Sequence, residues 1–286
     1  ACKPLFGFWI NYVSPIEEAE FIRSNLSGLR MGNDYNSGAY LLWALWPQQK
    51  VFIDARYFPY KAWYGDYSQF LDGKNVIPFL KKYPCDFWFL SYSFPGLEYF
   101  RKCPDWRLAH YGPSGCIFTR KGIELPESPG RAAAFDTKLT LYQASEVLKF
   151  ALAIDDLETA RKIAGSVIED SYLCPPKKAL SFEARIRLGS ALERHGLIDE
   201  SIEQYSKALE VDRKKPEVYV KLGNLYTRKH DPDKAIDHYT AALSIQPDSL
   251  EAMNNLSIIY AMNGRPDRSL EYLQKMMALK PEDSGI

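Results

Sequence analysis

Leu188-Gly189 recurs as Leu222-Gly223 and again as Leu256-Ser257, and each step is 34 residues. A fixed period of this length implies a stack of small helical units, because one unit cannot bury its apolar face alone. The same step carries Tyr226 to Tyr260, Tyr205 to Tyr239 and Leu273, Ala208 to Ala242 and Met276, and Pro247 to Pro281. Three copies fit in register, over 182–215, 216–249 and 250–283. The small residue at Gly189, Gly223 and Ser257 lets the two helices of a pair approach closely, and Ala208 and Ala242 do the same on the second helix. Tyr205 and Tyr239 fill the space between successive copies. Pro247 and Pro281 stop helices, since proline donates no backbone bond and clashes with the preceding turn. Gly196 and Gly264 occupy the turn between paired helices, where a positive φ is cheap; His230 takes that place in the middle copy. Asp199 and Asp233 suit the start of the second helix. A weaker copy lies upstream over 138–174, on Ala144, Val147, Ala151, Ala160 and Ala164. Pro175-Pro176 is expected to end it, and residues 175–181 to interrupt the period. This pair is read as the cap of the array.

These positions resemble the tetratricopeptide repeat, with its Leu-Gly, Tyr, Ala, aromatic, Ala and Pro sites. The resemblance implies a superhelix that binds protein partners on a concave face made by the first helices. In the family that face is lined by the second, fifth, ninth, twelfth and thirteenth positions of each repeat. Carried over, they are Glu183, Ile186, Ser190, Glu193 and Arg194, then Glu217, Val220, Asn224, Thr227 and Arg228, then Glu251, Asn254, Ile258, Ala261 and Met262. Val220 stands where the family's carboxylate clamp has a lysine, so a clamp for a chaperone tail is not expected. The groove residues singled out for partner contact are Arg194, Asn224, Arg228, Asn254 and Ile258, because amide and guanidinium groups bond a backbone or a carboxylate.

The leading part is built differently. Residues 1–130 hold 29 of the 40 aromatics and all six Trp. Two domains are therefore expected: 1–125, aromatic-rich, and 138–286, the repeats, joined by a linker over 126–137 that contains Pro126, Pro129 and Gly130. The hydrophobic pattern predicts an α/β fold in the first. Helices are expected from Pro15 to about residue 26 and over 37–46, 75–82 and 97–101. Strands are expected over 29–31, 50–54 and 86–91, with a closing hairpin of 106–110 and 116–120 around Gly112-Pro113-Ser114-Gly115. That order implies a small, mostly parallel sheet flanked by helices. Ligands on such sheets gather at the carboxyl ends of strands. The polar residues there are Asn33 and Asn36 (with Asp34), then Asp54, Arg56 and Tyr60 (with Tyr57). Asp54 and Arg56 are read first as an ordering ion pair and second as ligand contacts.

Phe6-Gly7-Phe8, Pro15 with its helix, Gly32-Asn33-Asp34-Tyr35-Asn36-Ser37-Gly38-Ala39-Tyr40-Leu41, and Pro47 with Lys50-Val51-Phe52-Ile53-Asp54-Ala55-Arg56 carry a second resemblance. Over about residues 6–120 the chain is similar to the soluble extracytoplasmic domain of bacterial multi-span membrane proteins related to polyprenyl-phosphate-dependent glycosyltransferases. Ala39 and Ala55 stand where that family has glycine. The resemblance implies a periplasmic location at the inner membrane and a membrane-embedded part of the same polypeptide as neighbour. It also implies that the catalytic carboxylates lie in loops outside this chain.

Lys+Arg and Asp+Glu are both 36, so no basic field exists to neutralise phosphates and no nucleic-acid partner is expected. The longest charge-free run, residues 35–49, is too short for a membrane span of ~20 apolar residues. The opening Ala1-Cys2-Lys3 reads as a trimmed fragment. None of the five Cys forms a C-x-x-C. Cys85 and Cys103 would pair only if their segments are neighbours, and buried free thiols are the reading taken. The four His are dispersed, and His195 and His230 fall in repeat turns. Glu17-Glu18 and Asp155-Asp156 are read as solvated. No catalytic residue, metal or cofactor is therefore expected. Three functions follow: a non-catalytic extracytoplasmic module with a repeat scaffold for protein partners; a first domain that holds a sugar or polyprenyl-linked substrate, favoured if Trp43, Trp63 or Tyr60 is exposed beside Asp54 and Arg56; and a soluble adaptor with no membrane link.

Overall fold

The structure, a computed structural model, describes residues 15–33, 35–52, 61–125, 139–169 and 175–279. By packing, the chain divides into two compact units, Ala1–Phe150 and Ala151–Ile286.

The first unit contains α1 (Ile16–Asn25), β1 (Met31–Asn33), α2 (Tyr35–Leu45), α3 (Lys61–Leu71), α4 (Val76–Lys82), β2 (Phe87–Leu90), α5 (Leu97–Lys102), β3 (Trp106–Tyr111) and β4 (Cys116–Arg120). The four strands form one sheet in the order β1-β2-β4-β3. Only β1 and β2 run parallel; β2–β4 and β3–β4 are antiparallel. The α/β class stands, and the sheet expected to be mostly parallel is mixed. The reason lies at 50–54, expected as a strand. Residues 50–52 form none, and 53–54 lie outside the described residues. The Phe52 N–H instead bonds the Asn33 Oδ1 at 2.8 Å, and its ring joins an aromatic cluster.

β2 is the centre of the unit because both its faces are apolar. Side chains alternate along a strand. Phe87 and Phe89 pack with Ala19 and Ile22 of α1, Leu26 just after it, and Leu41 and Leu45 of α2. Trp88 points the other way, into Phe52, Phe70, Phe79 and Phe100. Gly32 is the neighbour of Trp88 across the parallel pair, and a Cβ there would sit 2.2 Å from the indole. Only glycine fits under that ring. α3 was not expected from the sequence. Burial of Tyr67 and Phe70 holds it in place. The hairpin β3–β4 closes around residues 112–115 as expected. Among the described residues Cys85, Cys103 and Cys116 are free thiols. Burial pushes the Cys85 thiol up to about 12.

α6 (Leu141–Ala153) opens on a reciprocal cap. Thr140 Oγ1 accepts from the Gln143 N–H at 3.2 Å, and Gln143 Oε1 accepts from the Thr140 N–H at 3.1 Å. Its Phe150 packs on Tyr92 and Tyr111 of the first unit, with ring centroids at 5.1 and 5.4 Å.

The second unit contains α7 (Leu157–Glu169), α8 (Pro175–Arg194), α9 (Ile198–Val211), α10 (Pro216–Arg228), α11 (Pro232–Ile245), α12 (Leu250–Met262) and α13 (Pro266–Leu279). α8–α9, α10–α11 and α12–α13 pack as pairs, and each pair packs on the next. α7 packs on α8. The break in period expected over 175–181 is the first two turns of α8. Proline is tolerated at the first helical position, where its missing N–H would have no partner anyway. Gly196, His230 and Gly264 take the same inter-helix position with φ of 75°, 58° and 68°. The expected linker 126–137 and Pro281 lie outside the described residues.

Candidate functional site

The first two repeat pairs are closed by one device. The Tyr205 ring lies on Gly189, where a Cβ would be 2.9 Å from it, and the Tyr239 ring lies on Gly223, where the distance would be 2.5 Å. Both rings also pack against the first helix of the following repeat, Tyr205 on Val218, Leu222 and Leu225, and Tyr239 on Ala252, Leu256 and Ile259. Their hydroxyls reach polar residues of the first helix. Tyr205 Oη shares a hydrogen bond with Ser190 Oγ at 2.8 Å. Tyr239 Oη donates to Asn224 Oδ1 at 2.6 Å. Burial raises both phenols, Tyr205 to about 12.

The first helices lie side by side and are tied laterally. The Arg228 guanidinium of α10 donates to Glu193 of α8 at 3.3 Å. Asn255 Nδ2 of α12 donates to Asn224 Oδ1 at 2.9 Å. These ties sort the five expected contact residues. The Asn224 oxygen accepts two internal bonds, so this residue joins the helices rather than offering its carbonyl to a partner. Arg228 is half exposed, and its surface ion pair with Glu193 exchanges readily because such pairs contribute at most ~1 kcal/mol. Arg194 is exposed and sits 3.9 Å from Asp155. Asn254 and Ile258 are exposed on α12, with Met262 one turn further. The face thus offers two guanidinium groups on α8 and α10, then an amide beside apolar side chains on α12.

In the first unit Asn33 ends β1 and is buried. Its Oδ1 accepts from the Phe52 N–H at 2.8 Å, and its carbonyl accepts from Tyr67 Oη at 3.4 Å. It fixes the chain rather than facing a ligand. Asn36 falls in the first turn of α2. Asp54, Arg56 and Tyr60 lie outside the described residues. Trp43 is half exposed, with its ring 5.6 Å from Tyr40.

Two carboxylates read as solvated prove otherwise. Glu18, read as solvated, is fully buried. Its Oε1 accepts from the backbone N–H groups of Ser114 at 2.7 Å and Gly115 at 3.1 Å. Burial pushes the carboxyl up to about 7, outweighing those two donors. Asp156 also differs from the solvated reading, since it caps α7 by accepting from the Thr159 N–H at 3.0 Å. Nothing in the local sequence marks Glu18 as buried, because its partners are in a hairpin turn far along the chain. Among the described residues no cluster of His, Cys, Asp and Glu is arranged to hold a metal ion.

Two family models match. One described as tetratricopeptide repeat covers residues 215–282, and one described as TPR repeat covers 183–229. The helices α8–α13 are tetratricopeptide repeats. No curated protein matches the chain. Among solved structures, that of MamA is 22% identical, over 51% of this chain and 92% of that one, with a TM-score of 0.36. A tetratricopeptide repeat protein from Parabacteroides merdae ATCC 43184 is 19% identical, over 50% and 55%, with a TM-score of 0.45. The first repeat domain of Spaghetti (RPAP3), solved with the HSP90 peptide SRMEEVD, is 16% identical, over 36% and 82%, with a TM-score of 0.34.

Proposed function

We propose that the chain is a docking module whose α8, α10 and α12 hold a protein partner through an extended segment. The observation that supports this is the set of exposed side chains on three helices tied side by side: Arg194, Arg228, Asn254 and Ile258. A carboxylate or backbone carbonyl of the partner bonds the guanidinium groups, and an apolar side chain settles on Ile258 and Met262. The test is a peptide array probed with the full chain. A variant with Arg194→Ala, Arg228→Ala and Asn254→Ala loses binding by about tenfold or more, since each charge-assisted bond is worth ~1.5–3 kcal/mol. Binding that survives all three substitutions sinks the reading.

The setting proposed is the periplasmic face of the inner membrane, beside a membrane-embedded, glycosyltransferase-like part of the same polypeptide. It rests on the resemblance of residues 6–120. Among the described residues no helix is long and apolar enough to cross a membrane. Fractionation of cells carrying a natural-length tagged protein tests it, and recovery in the cytosol removes the setting but not the docking face. A second reading, that residues 1–125 hold a sugar, is favoured by the half-exposed Trp43 beside Tyr40. Glycans that leave the tryptophan emission and the thermal midpoint unchanged count against it.

A further inference from the structure

The turn between β3 and β4 is held from two sides. On one side, Glu18 of α1 reaches it with a fully buried carboxyl, whose Oε1 takes the N–H groups of both Ser114 and Gly115. On the other, Tyr92, which follows β2, donates from its hydroxyl to the Gly112 carbonyl at 2.5 Å. The fit is close. A Cβ on Gly112 would lie 2.9 Å from Glu18 Oε1, and one on Gly115 would lie 2.4 Å from the Leu90 carbonyl oxygen. Tyr92 and Tyr111, the residue that leads into the turn, also form the seat on which Phe150 of α6 packs. The Glu18 site suits an acid better than an anion. Its Oε2 is buried with no hydrogen-bond partner among the described residues. The titratable groups around Glu18 and Tyr92 are Glu17 of α1, Tyr40 of α2, His110 and Tyr111 of β3, and Cys116 of β4. Of these only the His110 imidazole can carry a positive charge, and its buried ring stacks on Phe21 at 4.5 Å. An ionised carboxyl in such a place is costly until it is paired or wetted.

We propose that Glu18 is a proton-operated latch: its acid form holds the turn 112–115 shut on α1, and its ionised form lets the turn lift and unseat α6. The turn yields rather than α1. Pro113 and Ser114 are only half-buried, whereas α1 is anchored in the core by Ala19 and Ile22. Lifting brings water to Oε2, which relieves the cost of the charge. It also breaks the Tyr92 bond to Gly112 and moves Tyr111, so Phe150 loses both of its supporting rings. The raised titration of Glu18, at about 7, puts the change near neutral pH. The first unit would thus sense a proton at α1 and report it at α6, the helix on which it ends. The latch is independent of the face of α8, α10 and α12.

The test is hydrogen exchange of the full chain at about pH 5.5 and about pH 8, corrected for the chemical exchange rate. Protection of residues 112–116 and of α6 should fall by about tenfold or more at the higher pH, the effect that ionising a carboxyl raised from 4.5 to about 7 supplies. Urea separates a lifted turn from unfolding of the whole unit. Small additions should leave exchange in the turn and α6 unchanged while speeding it in β2, because a local opening exposes little surface. Glu18→Gln keeps the acceptor and should abolish the pH step. Tyr92→Phe keeps the ring under Phe150 and removes one of the two ties, so the turn should open at lower pH; this variant carries the test if Glu18→Gln does not fold. A pH step that persists in Glu18→Gln, or an opening that Tyr92→Phe leaves at the same pH, overturns the latch. So does a turn whose exchange follows urea as steeply as that of β2. A turn that opens while α6 keeps its protection overturns the coupling to α6.

Discussion

The two units keep their folds by opposite means. In the first, hydrogen bonds join distant parts of the chain: Arg30 with Asp86, 56 positions on, and Glu18 with Ser114, 96 positions on. In the repeats the lateral ties span about one period, 35 positions for Arg228–Glu193 and 31 for Asn255–Asn224. The first unit therefore closes its long loops before its contacts repay the entropy, and no part of its core stands without the rest. The repeats interact with nearest neighbours, so damage there is local and graded. The difference is open to optical separation. All six Trp lie in residues 1–130, so tryptophan emission follows the first unit, while helical dichroism is weighted toward the second.

The largest expected effect is at Trp88. Its indole is fully buried among Phe52, Phe70, Phe79 and Phe100. Trp88→Ala costs about 3–5 kcal/mol. In a urea titration the tryptophan transition moves to low denaturant as a whole, and the repeat transition stays where it was. A shift of both together would mean that the units unfold as one.

Next is the pH dependence set by Glu18. Its folded-state carboxyl titrates at about 7 against an ordinary value of 4.5. An acid whose value is raised on folding favours the native state while protonated. The first unit is therefore most stable below about pH 4.5 with respect to this group, and loses about 3 kcal/mol as pH rises to 7. Glu18→Gln keeps an acceptor for the Ser114 and Gly115 N–H groups and removes the titration. The tryptophan midpoint of the variant should be flatter between pH 5 and pH 8 (roughly the window above) than that of the parent. Equal slopes would show that Glu18 is not the group responsible.

How much of this was legible in the sequence follows from the same contrast. The repeats were legible down to Gly189, Gly223 and the His230 turn, because a fixed period exposes each position three times. The start of α8 was not, since Pro175-Pro176 reads as a stop unless the helix begins there. Asn224 was read as a partner contact, and its oxygen accepts internal bonds from Tyr239 and Asn255 on two other helices, which no local pattern announces. In the first unit the hairpin and β2 were legible from apolar runs. The burial of Glu18 and the helix over Lys61–Leu71 were not, because both are decided by residues distant in sequence.

A smaller effect tests the repeat device directly. Gly223→Ala places a methyl group 2.5 Å from the Tyr239 ring, which is buried and has no room to yield. Overpacking of this kind costs ~1–3 kcal/mol, partly offset by the ~1 kcal/mol alanine gains over glycine in a helix. A net loss of up to about 2 kcal/mol is expected from these two terms. Gly165→Ala in α7, where a Cβ meets nothing within 4 Å, should stabilise instead. Opposite signs from one chemical change would separate contact from propensity, and equal signs would remove the ring-on-glycine account.

The smallest effect has the opposite direction, and it asks whether a defect in one repeat stays in that repeat. His230 holds φ at 58° in the turn where its two counterparts are Gly196 and Gly264. A side chain in this left-handed region costs roughly 1–2 kcal/mol, and glycine gives back part of that through the freedom it gains when unfolded. His230→Gly should therefore stabilise the repeats by about 0.5–1 kcal/mol. The gain should appear in the helical dichroism midpoint and leave the tryptophan midpoint unmoved. Because α10 and α11 pack on α9 and α12, hydrogen exchange should slow in α9 through α12 and fall away toward α7. Protection confined to α10 and α11 would mean that coupling between repeats is weaker than Tyr205 and Tyr239 imply. Protection spreading into residues 15–125 would mean that the two units are not energetically separate.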